Sequence, residues 1–455
     1  MNKESHAKMA KPMVAFLIPV ILASVLQSLG QVFGIIYVGQ ALGVESLAAI
    51  SAFFPLFFFL ISFAIGIGSG SSILVGQTYG GGNISKMKEV VGVTLAFTLT
   101  ISIGVSVFGT LFTENILKWM GTPDDILLIS AGYARILFIT LPITFLYMVY
   151  TTFMRGVGDS KTPFYFLLVS VVTNIILLPI SISGWFGFPK QGLNGAAYAA
   201  VLSSFIAFLF LMGYLYKRGH ILKLDSIILK NFRLKGPILK SLLKLAIPTS
   251  ISMVAISMSE IAVITFVNDY GFHATAAYGI VNQLASYVQI PAMSISIAMS
   301  VFVAQAVGSG KFLQINEVSR VGIKLNYLLG GILILIVYLL ADPILNIFLD
   351  HGETIKIAKG LIFISFWGYA ILGHTMSLSA KMRATGTVLW PTIFTIASIW
   401  LIQVPAAYLL SSYTSLGING VWLAYPIAFL TNFFVQSMYH YFYWKKKSLK
   451  ALLNE

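Results

Sequence analysis

The chain has 455 residues, of which 58% are hydrophobic and only 10% charged, with a formal net charge of +14. A soluble domain carries about 25% charged residues, and keeping this sequence in water would leave far more apolar surface exposed than folding hides. With no cysteine, disulfides, thiolate metal sites and a cysteine nucleophile are excluded.

A bilayer core is crossed by roughly 20 apolar residues of helix, and such stretches follow one another along the whole chain. The first, from Pro12 to about Val38, is too long for the roughly 7–15-residue apolar core of a cleaved signal and is read as a spanning helix. Spans are predicted at 12–38, 46–76, 89–112, 129–153, 163–183 and 194–216, then at 241–268, 273–304, 321–341, 354–380, 390–411 and 419–443. The expected fold is therefore all-α and integral to the membrane, with twelve helices in two six-helix lobes (1–216 and 241–455) joined by a linker at 217–240.

Lysine and arginine sort by side. With the N-terminus on side one, only Lys118, Arg135, Lys190, Lys356 and Lys359 fall on side two, leaving 24 of the 29 on side one. The positive-inside rule makes side one cytoplasmic, which places both termini inside and requires an even number of spans. A nucleic-acid binder would instead cluster these charges on one soluble face. Eight of them lie between Lys217 and Lys244, where a basic linker suits the anionic inner leaflet.

The two halves repeat. At an offset of 228, Met154-Arg155-Gly156-Val157-Gly158-Asp159 with Pro163 meets Met382-Arg383-Ala384-Thr385-Gly386-Thr387 with Pro391, and Gln77, Gly80 and Gly82 meet Gln305, Gly308 and Gly310. At 225, Gly192, Asn194 and Gly195 meet Gly417, Asn419 and Gly420. Because each half has an even number of spans the repeat is parallel, related by a pseudo-two-fold axis along the membrane normal, as in one class of secondary transporters.

On the Arg155-Gly156-Val157-Gly158-Asp159…Pro163 motif after the fourth span, its partner Arg383-Ala384-Thr385-Gly386…Pro391, and Val38-Gly39, Gly76-Gln77 and Tyr133-Ala134-Arg135-Ile136, the chain resembles the multidrug and toxic compound extrusion (MATE) family over its whole length. The glycines suit tight turns and the prolines suit helix starts. Arg155 and Asp159 are expected to pair. The resemblance implies export by alternating access driven by Na⁺ or H⁺, with no other cofactor, in the cytoplasmic membrane of a bacterium or archaeon, as a monomer among lipids. It also marks a departure: where many members carry acids in spans one and five, this chain has Gly34 and Leu178.

Ionisable groups at membrane depth are expensive and mark function by default. Glu260, in span seven, is the acid placed deepest. It is read as the ion-coupling group, or else as a protonated structural carboxyl. His374, in span ten, is either its proton-relay partner or a helix contact. Gln27, Gln31, Asn174, Asn282 and Gln283 either line a substrate cavity or hydrogen-bond helices together. A cleft rich in Met and Phe suits hydrophobic substrates. A lipid or lipid-linked saccharide flippase is the alternative, though it calls for cationic cavity residues. A membrane enzyme has no paired acids, HExxH or phosphate loop to support it, and no metal site is expected.

Overall fold

Hydrocarbon offers a backbone amide no partner, so each span closes its own hydrogen bonds as a helix. The computed structural model describes residues 3–349 and 352–453, which contain helices and no strand. The first half consists of α1 (Lys3–Leu42), α2 (Val44–Gly80), α3 (Ile84–Trp119), α4 (Asp124–Gly156), α5 (Lys161–Ser183) and α6 (Leu193–Lys217). A five-residue helix, α7 (Ser226–Lys230), sits in the linker. The second half runs through α8 (Gly236–Asn268), α9 (Phe272–Gly308), α10 (Phe312–Leu339), α11 (Ala341–Phe348), α12 (Gly352–Ser365), α13 (Trp367–Ala384), α14 (Leu389–Ala397), a π-helical turn (Ser398–Gln403), α15 (Val404–Ser412) and α16 (Ile418–Phe442). Eleven stretches are each long and apolar enough to cross a membrane, and α12 with α13, bent by 43°, supplies the twelfth span.

The repeat reaches down to backbone angles. Adding 228 to the bounds of α2 gives those of α9, and adding it to the bounds of α4 gives the start of α12 and the end of α13. Gly43 and Gly271 enter their helices at φ 81° and 86°, Gly158 and Gly386 turn at 91° and 86°, and Gly192 and Gly417 at 55° and 53°. The non-helical Phe112 (φ −109°, ψ 15°) inside α3 recurs as Leu340 (φ −107°, ψ 17°) between α10 and α11. The offset then falls from 228 to 225 for a visible reason. The eleventh span has 24 residues against 23 in α5, the extra one accommodated by the π turn. The connection after it, 413–417, has four residues fewer than 184–192.

Close approach holds each half together. A Cβ on Gly195 would stand 2.4 Å from the Ser181 carbonyl, and one on the equivalent Gly420 would stand 2.5 Å from the Leu410 carbonyl carbon. These contacts close the α5–α6 and α15–α16 hairpins. By contact grouping, Ile18–Ile247 form one compact unit, while Pro248–Glu455 together with the chain through Leu17 form the other. The divisions therefore fall inside α1 and α8, beside Pro19 and Pro248, and the linker belongs wholly to the first unit.

The motif loops show what replaces the expected pairing. Arg155 and Asp159 form no ion pair. Asp159 instead caps α5, accepting from the backbone N–H of Lys161 (3.1 Å) and Thr162 (3.0 Å) and from the Thr162 hydroxyl (2.6 Å). A carboxylate turned to a helix N-terminus gains both the amide hydrogen bonds and the dipole, and the turn at Gly158 carries Asp159 away from the end of α4. The loop itself is the same in both halves: Gly158 and Gly386 donate to Arg155 and Arg383 carbonyls at 2.8 and 2.9 Å, and Asp159 and Thr387 donate to Met154 and Met382 at 3.0 and 2.9 Å.

The linker is docked. Ile228 is fully buried, and a Cβ on Gly92 of α3 would meet its carbonyl oxygen at 2.6 Å. Asp225 caps α7 through the Ile227 and Ile228 amides, both at 3.1 Å, and accepts from Lys88. Lys235 donates to Glu89 at 2.6 Å and to Asn231 at 2.8 Å. Tyr150 donates to the carbonyl of the buried Leu222, whose amide donates to His220 Nδ1 at 3.1 Å, while His220 Nε2 lies 4.0 Å from Asp159. In the second half the residues after α16 cover the equivalent loop, with Trp444 Nε1 donating to Thr385 at 3.2 Å and Lys447 to Thr387 at 3.3 Å.

Burial pushes His220 below the usual imidazole range, against the opposing pull of Asp159. Burial alone would raise the Asp225 carboxyl, but Lys88 and the two amides outweigh it and hold it below the carboxylate range. Both groups therefore stabilise docking near neutrality and lose that contribution on acidification, first His220 below about pH 6.5 and then Asp225 below about pH 4. Amide exchange over 220–235 is expected to accelerate in two stages as pH falls, with His220→Gln removing the first stage and Asp225→Asn the second. In the helix hairpins, Gly195→Ala and Gly420→Ala should each cost about 1–3 kcal/mol through overpacking, read as lowered thermal stability in detergent.

Candidate functional site

Glu260 sits eight residues before the end of α8, on an exposed face of the helix. Among the described residues it takes no hydrogen bond or ion pair, yet its charge lies within electrostatic reach of Tyr278, Tyr369 and Tyr425. Three helices bring these phenols together. Tyr278 of α9 and Tyr425 of α16 share a 2.7 Å hydroxyl hydrogen bond, and Tyr278 stacks on Trp422 with ring centroids 5.9 Å apart. Asn282 lies one turn after Tyr278 on the same side of α9. On α13, Gly368 packs where a Cβ would stand 3.3 Å from Pro426 Cα, and this approach brings Tyr369 beside Phe429, 5.3 Å away, which in turn lies 6.2 Å from Tyr425.

The α8 wall of this cluster is tied to the π turn, where Trp400 Nε1 donates to the Ala255 carbonyl at 3.1 Å. The α12–α13 break is also chemically completed, because the Trp367 amide freed by the bend donates to the Tyr338 hydroxyl at 3.1 Å. An open carboxylate among buried hydroxyls can exchange a proton, hold a monovalent cation with phenol oxygens, or face a cationic guest with aromatic rings beside it.

His374 stands elsewhere. Its Nδ1 hydrogen-bonds Tyr327 of α10 at 3.0 Å and its ring meets Phe433 edge-on at 5.0 Å. Nearby, Asn326 donates to the Ala370 carbonyl at 3.0 Å, so α10 and α13 are joined at two adjacent points. No hydrogen bond or ring contact among the described residues links His374 to the Glu260 cluster. Five residues separate it from Tyr369 on α13, which turns it to another face of the helix.

In the first unit, Gln27 and Gln31 are both exposed on α1. Asn174 donates to Ser203 at 3.4 Å, a bond between α5 and α6. Gln283 is exposed on α9. The positions where the family resemblance led one to look for acids are distinct in character. A Cβ on Gly34 would meet nothing within 4 Å, whereas Leu178 is buried among Val38, Ala49, Ile182 and Leu193.

Glu260, Tyr278, Asn282 and Tyr369 correspond at 228 to Val32, Ile50, Phe54 and Leu141, and Tyr425 corresponds at 225 to Ala200. Every polar member of the cluster has an apolar counterpart in the first half. The three tyrosines went unmarked in the sequence reading, although laying the halves side by side exposes each of them as a polar residue opposite an apolar one.

A duplicated six-helix unit in parallel repeat is the layout of one class of membrane transporters. The chain belongs to the MatE family, whose model matches it twice, over residues 19–180 and 248–409. It is similar to the probable multidrug resistance protein YoeA of Bacillus subtilis (strain 168), at 52% identity over 452 residues, covering 99% of this chain and 98% of that one. In fold it is similar to the MATE transporter VcmN of Vibrio cholerae, with a TM-score of 0.90 at 16% identity over 98% of this chain and 99% of the other. It is likewise similar to a MOP superfamily transporter from Pyrococcus furiosus, with a TM-score of 0.88 at 23% identity over 96% and 97% of the two chains.

Two substitutions separate the two vacated acid positions. Gly34→Asp is expected to cost less thermal stability than Leu178→Asp, since a Cβ at 34 meets nothing within 4 Å. Leu178→Asp should lose about 1–3 kcal/mol by burying an unsatisfied polar group. Thermal unfolding of both variants in the same detergent checks the contrast.

Proposed function

We propose that this chain exports small hydrophobic or cationic compounds in exchange for Na⁺ or H⁺, with Glu260 as the group both compete for. The observation that carries this reading is the position of Glu260, an unpaired carboxyl deep in a span, open on one side and bordered by the Tyr278–Tyr425 pair on the other. A carboxylate with few charges around it interacts strongly with whichever cation approaches, because a low dielectric screens little. When a proton or Na⁺ occupies it, its pull on a cationic compound is lost. When the compound occupies it, the coupling ion is excluded. Mutual exclusion at one charge, combined with alternating exposure of that charge to the two sides, gives antiport.

The aromatic surround favours guests with flat or apolar bodies. Gln27 and Gln31 in the first unit, and Asn282 and Gln283 in the second, are each proposed to meet substrate, and Asn174 is assigned to helix pairing through Ser203. His374 is assigned a helix contact with Tyr327. Both termini lie in the cytoplasm of a bacterial or archaeal cell in this reading, which the lysine and arginine distribution supports. The monomer is taken as the functional unit.

Reconstituted protein should move a fluorescent organic cation when a proton or Na⁺ gradient is imposed, and only one of the two gradients should suffice. Glu260→Gln should lower gradient-driven transport at least ~100-fold, the scale on which losing a group of about 2.7 kcal/mol reads out, while thermal stability stays unchanged because the side chain is exposed and unpaired. Transport indifferent to both gradients would overturn the exchange reading, and full coupling in Glu260→Gln would overturn the assignment of that residue. Retained coupling in His374→Gln would place that residue outside the proton path.

A further inference from the structure

The linker has an inner edge and an outer edge, and only the inner one is occupied. Ile228 and Leu222 are fully buried, and Asp225 and Lys235 are bonded to Lys88 and Glu89 of α3. On the other edge, Ile227, Leu229, Phe232 and Leu234 are exposed by 38%, 60%, 42% and 52%. Lys230 and Arg233 are interleaved with them and also exposed, and neither has an ion-pair partner among the described residues. Four large apolar side chains held outward beside two free cations are poorly placed for a cytosolic surface.

Their height in the fold is set by α3. At 36 residues α3 is about 54 Å long, well beyond the roughly 30 Å of hydrocarbon. Its last charges before the long apolar stretch are Lys88 and Glu89, the two residues that hold the linker. The outer edge therefore lies at the level where headgroups meet acyl chains, on the side the basic excess marks as cytoplasmic.

We infer that the segment Ser226–Lys235 is an interfacial anchor that inserts Leu229, Phe232 and Leu234 into the inner leaflet and pairs Lys230 and Arg233 with anionic lipid headgroups. The inference rests on the orientation adopted above, but not on the coupling role of Glu260. The chemistry is that of a short amphipathic element whose apolar side chains enter the acyl boundary while its cations stay at the phosphates. It differs from a free basic tether in that its back is fixed to α3, so the depth of the segment is set by the protein and its affinity by the lipid.

The absence of native cysteine makes a direct test available. Leu229→Cys, Phe232→Cys and, as a water-facing reference, Lys217→Cys are each spin-labelled in the full-length protein. The protein is placed in nanodiscs of phosphatidylcholine alone or of phosphatidylcholine with phosphatidylglycerol, and collision with oxygen is compared with collision with a water-soluble nickel chelate. Labels at 229 and 232 should favour oxygen, more strongly with phosphatidylglycerol, while 217 stays accessible to nickel. Adding Lys230→Gln and Arg233→Gln should abolish the dependence on phosphatidylglycerol, and so should high salt. Equal access of nickel to all three labels in both lipids would overturn the inference. Labels shielded from both probes in native membranes but not in nanodiscs would also overturn it, because they would show a protein partner there. Neither result bears on whether Glu260 couples transport, which the gradient assay reads separately.

Discussion

Everything in this molecule answers to one constraint: inside the bilayer a backbone amide that leaves its helix must find a partner supplied by the protein. In the first half α4 and α5 run without interruption. In the second half, the span equivalent to α4 breaks at Phe366 and the span equivalent to α5 contains the π turn. Both irregularities are supported by polar side chains at the right height. Tyr338 takes the amide of Trp367, and Trp400 bonds across to α8. The irregular half is also the one that holds Glu260 and the three phenols. At the positions equivalent to Glu260 and the three phenols the first half is apolar, and its α4 and α5 are unbroken.

Much of the fold was legible because spanning stretches announce themselves by length and composition, and because Arg155-Gly156-Val157-Gly158-Asp159 and its partner recur at a fixed offset. Other features were hidden for physical reasons. In a span that is apolar all round, periodicity no longer tells which face meets a neighbour, so nothing in the sequence aimed Tyr278 at Tyr425 or turned His374 toward Tyr327. The Arg155–Asp159 pairing was inferred from charge and closeness in sequence, but the positive φ of Gly158 redirected the carboxylate to its own helix N-terminus. The linker looked like a charged tether because its basic residues are conspicuous. What docks it is Gly92, which permits a backbone approach that has no signature in composition.

The segments that follow the sixth span of each half do similar work. Leu222 and His220 lie over the loop that contains Asp159, and Trp444 and Lys447 lie over the loop that contains Thr387. In both cases a bond comes from a side chain or carbonyl just past the last span, back to the junction of the fourth and fifth. The chemistry of the two clasps differs: an imidazole and a carboxylate in the first, an indole, an ammonium and two hydroxyls in the second. Only the first contains an imidazole, which burial holds toward its neutral form.

The π turn has a consequence for how the two halves are to be equated. One residue inserted into a helix advances everything after it by about 100° around the axis. The wider π turn takes up that rotation, so beyond Gln403 the eleventh span faces as α5 does at an offset of 229: Leu410 meets Gly420 as Ser181 meets Gly195. A residue-by-residue correspondence therefore runs at 228 up to the turn, at 229 beyond it, and at 225 from the start of α16, after the four-residue shortening. Exchanging residues between α5 and the eleventh span would consequently have to follow 229 rather than 228 beyond the turn to keep each side chain on its own face.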